Sequence, residues 1–302
     1  MGQIGVTLPI STPDHTPETV LQCARLAEDA GAHSLWTIDR LTFGNQEPLL
    51  ALAAAAALTT RVRLGTSVLL GTLRGPAMLA KEIATLDQIS GGRVILGLGV
   101  GSRADDFEGA GVPFEHRGKR AEELIDILRL AWSGEPVCYS GQCYSMDVGP
   151  IGPQPVQAHV PIWIGGSADA ALRRVGRLAD GFISGASRGA EGFRQNMETV
   201  RAAAVAAGRD PSTISGATLM FVSIDDDREQ ARRRAFDYQA NYYSAARANP
   251  DQCVLGSVDE CAEKVAEYLK VGADLLVLAP VTSDLRHYER LCMELLPKLA
   301  AG

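Results

Sequence analysis

Short, mostly apolar segments alternate along the chain with longer segments that carry helix start and stop signals. A short apolar run bounded by turn residues is typical of a strand buried on both faces. The predicted strands cover residues 3–9, 34–38, 61–70, 93–101, 161–164, 181–184, 214–224 and 273–278. The predicted helices cover residues 17–31, 47–59, 76–90, 119–132, 168–178, 191–207, 226–248 and 285–299, with one more after a capping box at Ser257 and Glu260.

Eight strand-helix alternations in 302 residues predict a closed (β/α)8 TIM barrel with insertions. No stretch rich in Pro, Gly or Ser is long enough to be a linker, so we expect one domain over residues 1–302. A doubly wound open sheet is the alternative. One insertion, around residues 138–144, is expected to be a small hairpin.

The strand at residues 93–101 ends in glycines at every second position, including Gly99 and Gly101. A bare face there would let a flat ligand approach closely, so the strand end is a candidate cofactor ledge; a tight packing turn is the alternative. The spacing does not match a dinucleotide fingerprint, because Ser102 and Ala104 stand where glycine is needed and residues 104–117 are expected to form a polar loop.

Three other strand ends carry candidate chemistry. Gly165, Gly166 and Ser167 lead directly into a predicted helix, and Ser184 and Gly185 end the next strand. Free N–H groups at a helix start favour an anion such as a phosphate, although a nearby Asp169 opposes it and Ser167 could serve only as a helix cap. The third end carries Asp39, which could hold a ring N–H or act as an acid or base, unless it only pairs with Arg40 or caps a loop.

Composition and charge restrict the classes of molecule that the protein is expected to bind. A net charge of -7 without a basic stripe argues against nucleic acid. Six cysteines without C-x-x-C or metal-ligand spacing predict reduced thiols, no metal site and a cytoplasmic location. We find no secretion signal and no apolar run long enough to span a membrane, and therefore expect no membrane association.

Five stretches, in this order, resemble the bacterial luciferase-like superfamily over nearly the whole chain. They are Leu35-Trp36-Thr37-Ile38-Asp39-Arg40; the segment 60–68; Leu86-Asp87-Gln88-Ile89-Ser90-Gly91-Gly92-Arg93 with the glycine-tipped strand; Pro161-Ile162-Trp163-Ile164-Gly165-Gly166; and Leu178-Ala179-Asp180-Gly181. Members of that superfamily are flavin- or deazaflavin-dependent TIM-barrel oxidoreductases. The tip Thr66-Ser67-Val68 and the compact length are most similar to the branch that uses coenzyme F420.

The resemblance implies roles for individual residues. It implies a non-proline cis peptide at Ser67-Val68 behind the cofactor ring, contact of Asp39 with the polar edge of the ring, and a border formed by Gly99 and Gly101. It implies that the phosphate is held by the turns at Gly165, Gly166, Ser167, Ser184 and Gly185.

Two departures bear on the substrate. Sugar-phosphate dehydrogenases of the superfamily carry a histidine where Arg40 stands, and a glutamate where the sequence reads Ser102-Arg103-Ala104-Asp105. Oxidation of glucose 6-phosphate is therefore not expected. Arg40, which is always protonated, could instead polarise a substrate carbonyl or neutralise a reduced, anionic cofactor.

The resemblance implies an oxidoreductase that transfers a hydride between F420 and a small organic substrate, with Asp39 and Arg40 as the catalytic candidates. Tyr242 and Tyr243 are candidate substrate contacts on a lid, or only helix packing residues. One alternative is an FMN-dependent monooxygenase that uses O₂ and receives reduced flavin from a separate reductase; another is a non-catalytic flavin-binding protein. A homodimer is expected by analogy with the superfamily.

Overall fold

Parallel strands close into a barrel in the structure, a computed structural model that describes residues 2–185 and 189–301. The strands are β1 (Gln3–Thr7), β2 (Ser34–Thr37), β3 (Arg63–Thr66), β4 (Val94–Leu98), β5 (Pro136–Ser140), β6 (Ser145–Pro150), β7 (Ile162–Gly165), β8 (Gly181–Gly185), β9 (Ser215–Ile224), β10 (Val254–Gly256) and β11 (Leu275–Pro280). The order around the barrel is β1-β2-β3-β4-β7-β8-β9-β11. Because β8 pairs with β9 and β11 pairs with both β9 and β1, these eight strands form a closed ring, which excludes the doubly wound alternative; the short β10 pairs with β9 alone.

Helices on the outside connect the barrel strands. They are α1 (Pro17–Asp29), α2 (Pro48–Leu58), α3 (Pro76–Ser90), α4 (Ala104–Ala110), α5 (Arg117–Ala131), α6 (Asp169–Leu178), α7 (Gly189–Ala206), α8 (Arg228–Tyr242), α9 (Val258–Lys270), α10 (Leu285–Arg290) and α11 (Leu296–Ala301). Local signals explain several ends: Gly91 adopts the left-handed conformation that stops α3, and Ser257 and Glu260 form the predicted capping box of α9. None of these helices is long and apolar enough to cross a membrane.

The barrel interior is filled by side chains. The rings of Trp36 and Trp163 are buried with their centroids 5.7 Å apart, as expected for residues of the barrel wall. A β-carbon on Gly65 would collide with the ring of Trp36, and one on Gly181 would lie 2.5 Å from Nε1 of Trp163. The interior of the barrel is therefore a packed core and not a pore.

The predicted hairpin in the insertion is confirmed as the antiparallel pair β5 and β6. Its tip is held by Glu123 of α5, whose buried carboxylate accepts hydrogen bonds from the backbone N–H groups of Gln142, Cys143 and Tyr144 at 2.8 to 3.0 Å. These charge-assisted bonds anchor the hairpin on the outside of the barrel, away from the strand ends that are considered below.

One loop prediction and two helix predictions were wrong. Part of the loop expected at residues 104–117 is α4, because Asp106 and Phe107 turn inward and are 2% and 1% exposed. The helix expected at residues 226–248 ends at Tyr242, whose carbonyl accepts hydrogen bonds from Arg40 and Arg103 instead of from a following backbone N–H. The last predicted helix is interrupted by a π-helical turn, Leu291–Leu295, between α10 and α11.

Candidate active site

A cleft of about 320 Å³ opens at the carboxyl ends of the barrel strands. In a barrel of this type the loops at this end are where active sites are built. The residues that line it are Ile38, Asp39, Arg40, Ser67, Val68, Leu70, Gly99, Val100, Gly101, Ser102, Arg103, Asp106, Gly165, Gly166, Ile183, Ser184, Gly185, Leu219, Phe221, Tyr242 and Tyr243. Every site residue predicted from the sequence is among them except Ser167, which is exposed beside the cleft.

The floor of the cleft is the turn that follows β3. The Ser67-Val68 peptide bond is cis, as the resemblance implied. On one side the N–H of Ser67 donates to the carbonyl of Thr37, and on the other the N–H of Leu69 donates to the carbonyl of Gly97, both at 2.7 Å. The turn is thus fixed to both neighbouring strands, and the half-buried side chain of Val68 lies at the centre of the barrel mouth.

The sequence suggested that the glycines at the end of β4 leave a bare face for a ligand. In the structure these glycines, and also Gly165 of β7, lie against other side chains. They make room for Val68: a β-carbon on Gly165 would lie 2.7 Å from Cγ1 of Val68, and one on Gly99 would collide with Cγ2. Gly101 has φ +74° and lies against the ring of Phe107. The packing alternative therefore accounts for the glycines, and the surface that a flat ligand would meet is the methyl groups of Val68 between two glycine-bearing strands.

Asp39 is held at the end of β2 by contacts that the sequence did not predict. Its Oδ2 accepts a 2.9 Å hydrogen bond from the N–H of Leu70 and lies 3.5 Å from Nη2 of Arg74, which also bonds Glu47 at 2.7 Å. The expected alternative, an ion pair of Asp39 with Arg40, is wrong. Burial raises the pKa of Asp39, although the Leu70 N–H and the Arg74 guanidinium oppose that rise.

Arg40 lines the cleft, but its donors point to protein atoms. Nε donates to Oδ2 of Asp106 at 3.0 Å, while the other nitrogens approach Thr42 and the carbonyl of Tyr242. Asp106 in turn accepts the N–H groups of Leu41 and Thr42. Direct contact of Arg40 with a substrate carbonyl is therefore not favoured by the geometry, which fits a role in holding the β2 loop against α4.

Aromatic side chains form one wall of the cleft. The ring of Tyr242 is stacked on that of Tyr238 at 6.0 Å and meets the edges of Phe43 and Tyr243 at 5.1 and 4.8 Å. Tyr242 is buried, whereas Tyr243 is 38% exposed. These rings pack the end of α8 and also line the cleft, so substrate contact by Tyr242 and Tyr243 stays a prediction.

The opposite wall, at the ends of β7 and β8, suits an anion. Gly166 is exposed with φ +142°, and a β-carbon on Gly185 would meet no atom of the described chain within 4 Å. Ala168 caps α6 and offers no side-chain acceptor for the first helical N–H groups. Backbone donors at a helix start without an internal cap form a cradle that a phosphate can enter.

The side chains at this wall have separate roles. Ser184 is buried and donates to Oγ1 of Thr218 at 3.2 Å. Ser167 is not the cap of α6, so that alternative is wrong. The Asp169 carboxylate, which seemed to oppose anion binding, is paired with Arg173 at 2.8 Å. Its charge is therefore partly compensated within α6.

Several residues that shape the cleft were missed by sequence reasoning. Arg74, Glu47, Phe43 and Asp106 come from segments that lie beyond the strand ends, and no local motif marks them. One available signal is the pair Asp105 and Asp106, because acidic residues are typical of a first helical turn. In the described residues, no group of three or more His, Cys, Asp or Glu side chains could hold a metal ion.

Comparison with known proteins agrees with this architecture. Residues 3–275 match the family model of luciferase-like monooxygenases. Two relatives are named F420-dependent glucose-6-phosphate dehydrogenase: the protein of Beutenbergia cavernae is 31% identical over 96% of each chain, and that of Nocardia farcinica is 29% identical over 100% of this chain and 99% of its own.

Solved structures share the fold. An F420-dependent secondary alcohol dehydrogenase, crystallised with an F420-acetone adduct, has a TM-score of 0.88 at 21% identity over 99% of both chains. The monooxygenase RslO1 from Streptomyces bottropensis has a TM-score of 0.83 at 22% identity, over 98% of this chain and 99% of its own.

Proposed function

The chain belongs to the luciferase-like monooxygenase family, and on that basis we propose that it is an oxidoreductase that transfers a hydride between coenzyme F420 and a small organic substrate. The substrate would bind at the carboxyl end of the barrel. Relatives that are about as long as this chain and named F420-dependent dehydrogenases support the choice of F420 over FMN.

The observation that carries the proposal is the shape and chemistry of the cleft. Its floor, Val68, is an apolar surface at the barrel mouth, and its β7–β8 wall is a glycine-lined cradle of backbone groups at Gly166 and Gly185. A flat ring with a phosphate-bearing side chain requires these two features side by side. The residues present therefore fit a deazaflavin, with the ring on Val68 and the phosphate against the cradle.

When bound, the deazaflavin accepts or supplies the hydride at its central ring. The residues of this chain would position the reactants and exclude water. Asp39, buried and bonded to the Leu70 N–H, would contact the polar edge of the ring, and its raised pKa would suit exchange of a proton. Arg40 would act by holding the wall that carries Tyr242, rather than by touching the substrate.

We propose a substrate other than the sugar phosphate after which the curated relatives are named. The support is the pair of departures from that branch, at Arg40 and at the loop that begins with Ser102 and Arg103, together with the engagement of Arg40 by Asp106. The aromatic wall of Phe221, Tyr242 and Tyr243 favours a substrate with an apolar or planar portion.

A turnover screen tests the proposal. Reduced F420 would be mixed with carbonyl compounds, imines and enones, and oxidised F420 with secondary alcohols and glucose 6-phosphate, while the absorbance of the ring is followed. We expect turnover with at least one class and none with glucose 6-phosphate. Turnover only with reduced FMN and O₂, after supply by a reductase, would replace the proposal with a monooxygenase; binding of cofactor without any turnover would favour a carrier.

Three further expectations belong to the proposal. One domain over the whole chain is supported by the closed barrel. A cytoplasmic location is supported by the free thiols of all six cysteines. A homodimer is supported by the exposed apolar side chains of Leu50, Met78 and Ile89 on α2 and α3, and light scattering of the purified protein would test it.

A further inference from the structure

The charged side chains that line the cleft are paired with one exception. Asp39 faces Arg74, and Arg40 faces Asp106, at 3.5 and 3.0 Å. Arg103 also lines the cleft, yet it forms no salt bridge with any carboxylate in residues 2–185 and 189–301. The one uncompensated charge on the described cleft wall is therefore positive.

The position of this guanidinium is fixed by neutral groups. Nη2 of Arg103 donates to the carbonyl of Tyr242 at 2.8 Å, and the guanidinium carbon lies 5.8 Å from the ring centroids of both Tyr242 and Tyr243. Cation–π contacts and one hydrogen bond hold the side chain in place without neutralising its positive charge. Of its five N–H groups, those on Nε and Nη1 form no hydrogen bond within the described residues.

We propose that Arg103 is a specificity residue that binds an oxyanion of the substrate, so that the substrate class is a small organic carboxylate. This rests on the proposed function, since the cleft must also hold the cofactor. The planar guanidinium fork matches a carboxylate in two parallel hydrogen bonds. One unpaired positive charge balances one carboxylate. A phosphate dianion would leave one negative charge uncompensated, because Arg40, the other basic residue among those that line the cleft, is already paired.

The rings beside Arg103 support the same class. Tyr242 and Tyr243 lie beside the cationic group, and the ring of Phe221 meets that of Tyr243 at 6.2 Å between centroids. A ligand that reaches the guanidinium with a carboxylate therefore lays its carbon skeleton along this aromatic wall. The partly desolvated surroundings strengthen the charge-assisted bonds relative to those in water. A neutral amide of the same shape would leave the charge of Arg103 without a counterion.

The test is isothermal titration of the F420-loaded protein with benzoate, benzamide and phenyl phosphate. We expect benzoate to bind at least about tenfold more tightly than benzamide, since hydrogen bonds to a charged group contribute that much. We expect phenyl phosphate to bind more weakly than benzoate. In Arg103→Met the preference for benzoate over benzamide should disappear, and Arg103→Lys should retain only part of it.

Arg201→Met is the matched control, because Arg201 is exposed on α7 and its loss changes the net charge equally. It should leave the preference unchanged. Equal binding of benzoate and benzamide to the wild type, failure of both acids to bind, or persistence of the preference in Arg103→Met would overturn the proposal. Tighter binding of phenyl phosphate would assign the site to phosphate esters instead and would overturn the carboxylate class.

The F420 affinity of each variant separates this proposal from the proposed function. Arg103→Met should bind F420 as the wild type does, since the candidate phosphate cradle is at the β7–β8 wall. If the F420 affinity falls together with that for benzoate, Arg103 serves the cofactor and the specificity proposal fails. If the wild type binds no F420, the function fails, while the same titrations without cofactor still report the anion preference.

Discussion

Cγ1 of Val68 lies 2.7 Å from the position that a β-carbon on Gly165 would take, so the floor of the cleft depends on the absence of a side chain at that glycine. A β-carbon on Gly99, just past the end of β4, would likewise collide with Cγ2 of Val68. The side chain of Val68 thus occupies the space that side chains at Gly99, just past β4, and at Gly165 of β7 would take. The two methyl groups of Val68, rather than the glycines themselves, form the surface on which a flat cofactor would rest.

Enlarging Gly99 tests this packing. In Gly99→Ala the new methyl group should push Val68 toward the cleft, at a cost of about 1–3 kcal/mol in the free energy of unfolding, and should weaken F420 binding. Thermal melting and a fluorescence titration would measure the two effects. Gly149→Ala is the control, because no described atom lies within 4 Å of its added carbon. Unchanged F420 affinity in Gly99→Ala would contradict the role of Val68 as the floor.

The phosphate cradle is best tested at Gly185. Gly185→Asp places a carboxylate beside the expected phosphate without a clash in the described chain, and like charges there should weaken F420 binding by about tenfold or more. Gly185→Asn has the same shape without the charge and should bind F420 nearly as the wild type does. Gly165→Asp is less informative, since it would also displace Val68. Equal affinities of the Asp and Asn variants would remove the phosphate from this wall.

The Arg40–Asp106 pair is expected to stabilise the mouth of the barrel. Asp106→Asn leaves the buried guanidinium with only the exposed carboxylate of Asp105, at 3.5 Å, as its counterion, and we expect a loss of up to about 3 kcal/mol in the free energy of unfolding. Replacing both residues, in Arg40→Met with Asp106→Leu, should cost less than the sum of the single changes. Denaturant unfolding of the four proteins in a double-mutant cycle gives the coupling energy. If the effects of the two substitutions on the free energy of unfolding were strictly additive, the Arg40–Asp106 pair would have no coupling energy.

A pH dependence of stability is expected from Glu28, which lies at the amino end of the barrel. Its burial opposes ionisation, but hydrogen bonds from the backbone N–H groups of Val62, Thr60 and Arg61 and from the Thr60 hydroxyl lower the pKa of its carboxyl to about 2. A lowered folded-state pKa stabilises the fold above the unfolded value of 4.5, and that contribution is lost as the pH falls toward 2.

The comparison with Glu28→Gln isolates this contribution. At pH 7 the variant should be less stable than the wild type by about 3 kcal/mol, following the shift in pKa. The difference should shrink as the pH falls from 4.5 toward 2. Urea unfolding at several pH values would measure it. A difference that is independent of pH would mean that the loss is due to packing and not to the ionised carboxylate.

The strands were predictable because each is a short apolar run between turn residues, and the closed barrel follows from their number. The cleft was predictable to the extent that its residues end those strands, as Asp39, Gly99 and Gly185 do. The partners of those residues were not predictable. Arg74 and Asp106 reach Asp39 and Arg40 from 35 and 66 positions away, and such pairings depend on the three-dimensional path of the loops.

The glycines illustrate the same limit. Gly99 and Gly165 were recognised as special, yet a missing side chain does not reveal what fills its space. Val68, which fills that space, lies 31 positions from Gly99 and 97 positions from Gly165 along the sequence. It follows β3, which does not lie between β4 and β7 in the barrel. The end of α8 was mispredicted for a related reason, because the two arginines that donate hydrogen bonds to its last carbonyl belong to the loops after β2 and β4.

The most direct test of the proposed function is a titration of the purified protein with F420 and with FMN, each oxidised and reduced, followed by the fluorescence of the ring. We predict saturable binding of F420, at least about tenfold tighter than that of FMN, with the affinity for F420 lost in Gly185→Asp and kept in Gly185→Asn. Tighter binding of FMN, or binding of neither cofactor, would contradict the assignment of this cleft to a deazaflavin.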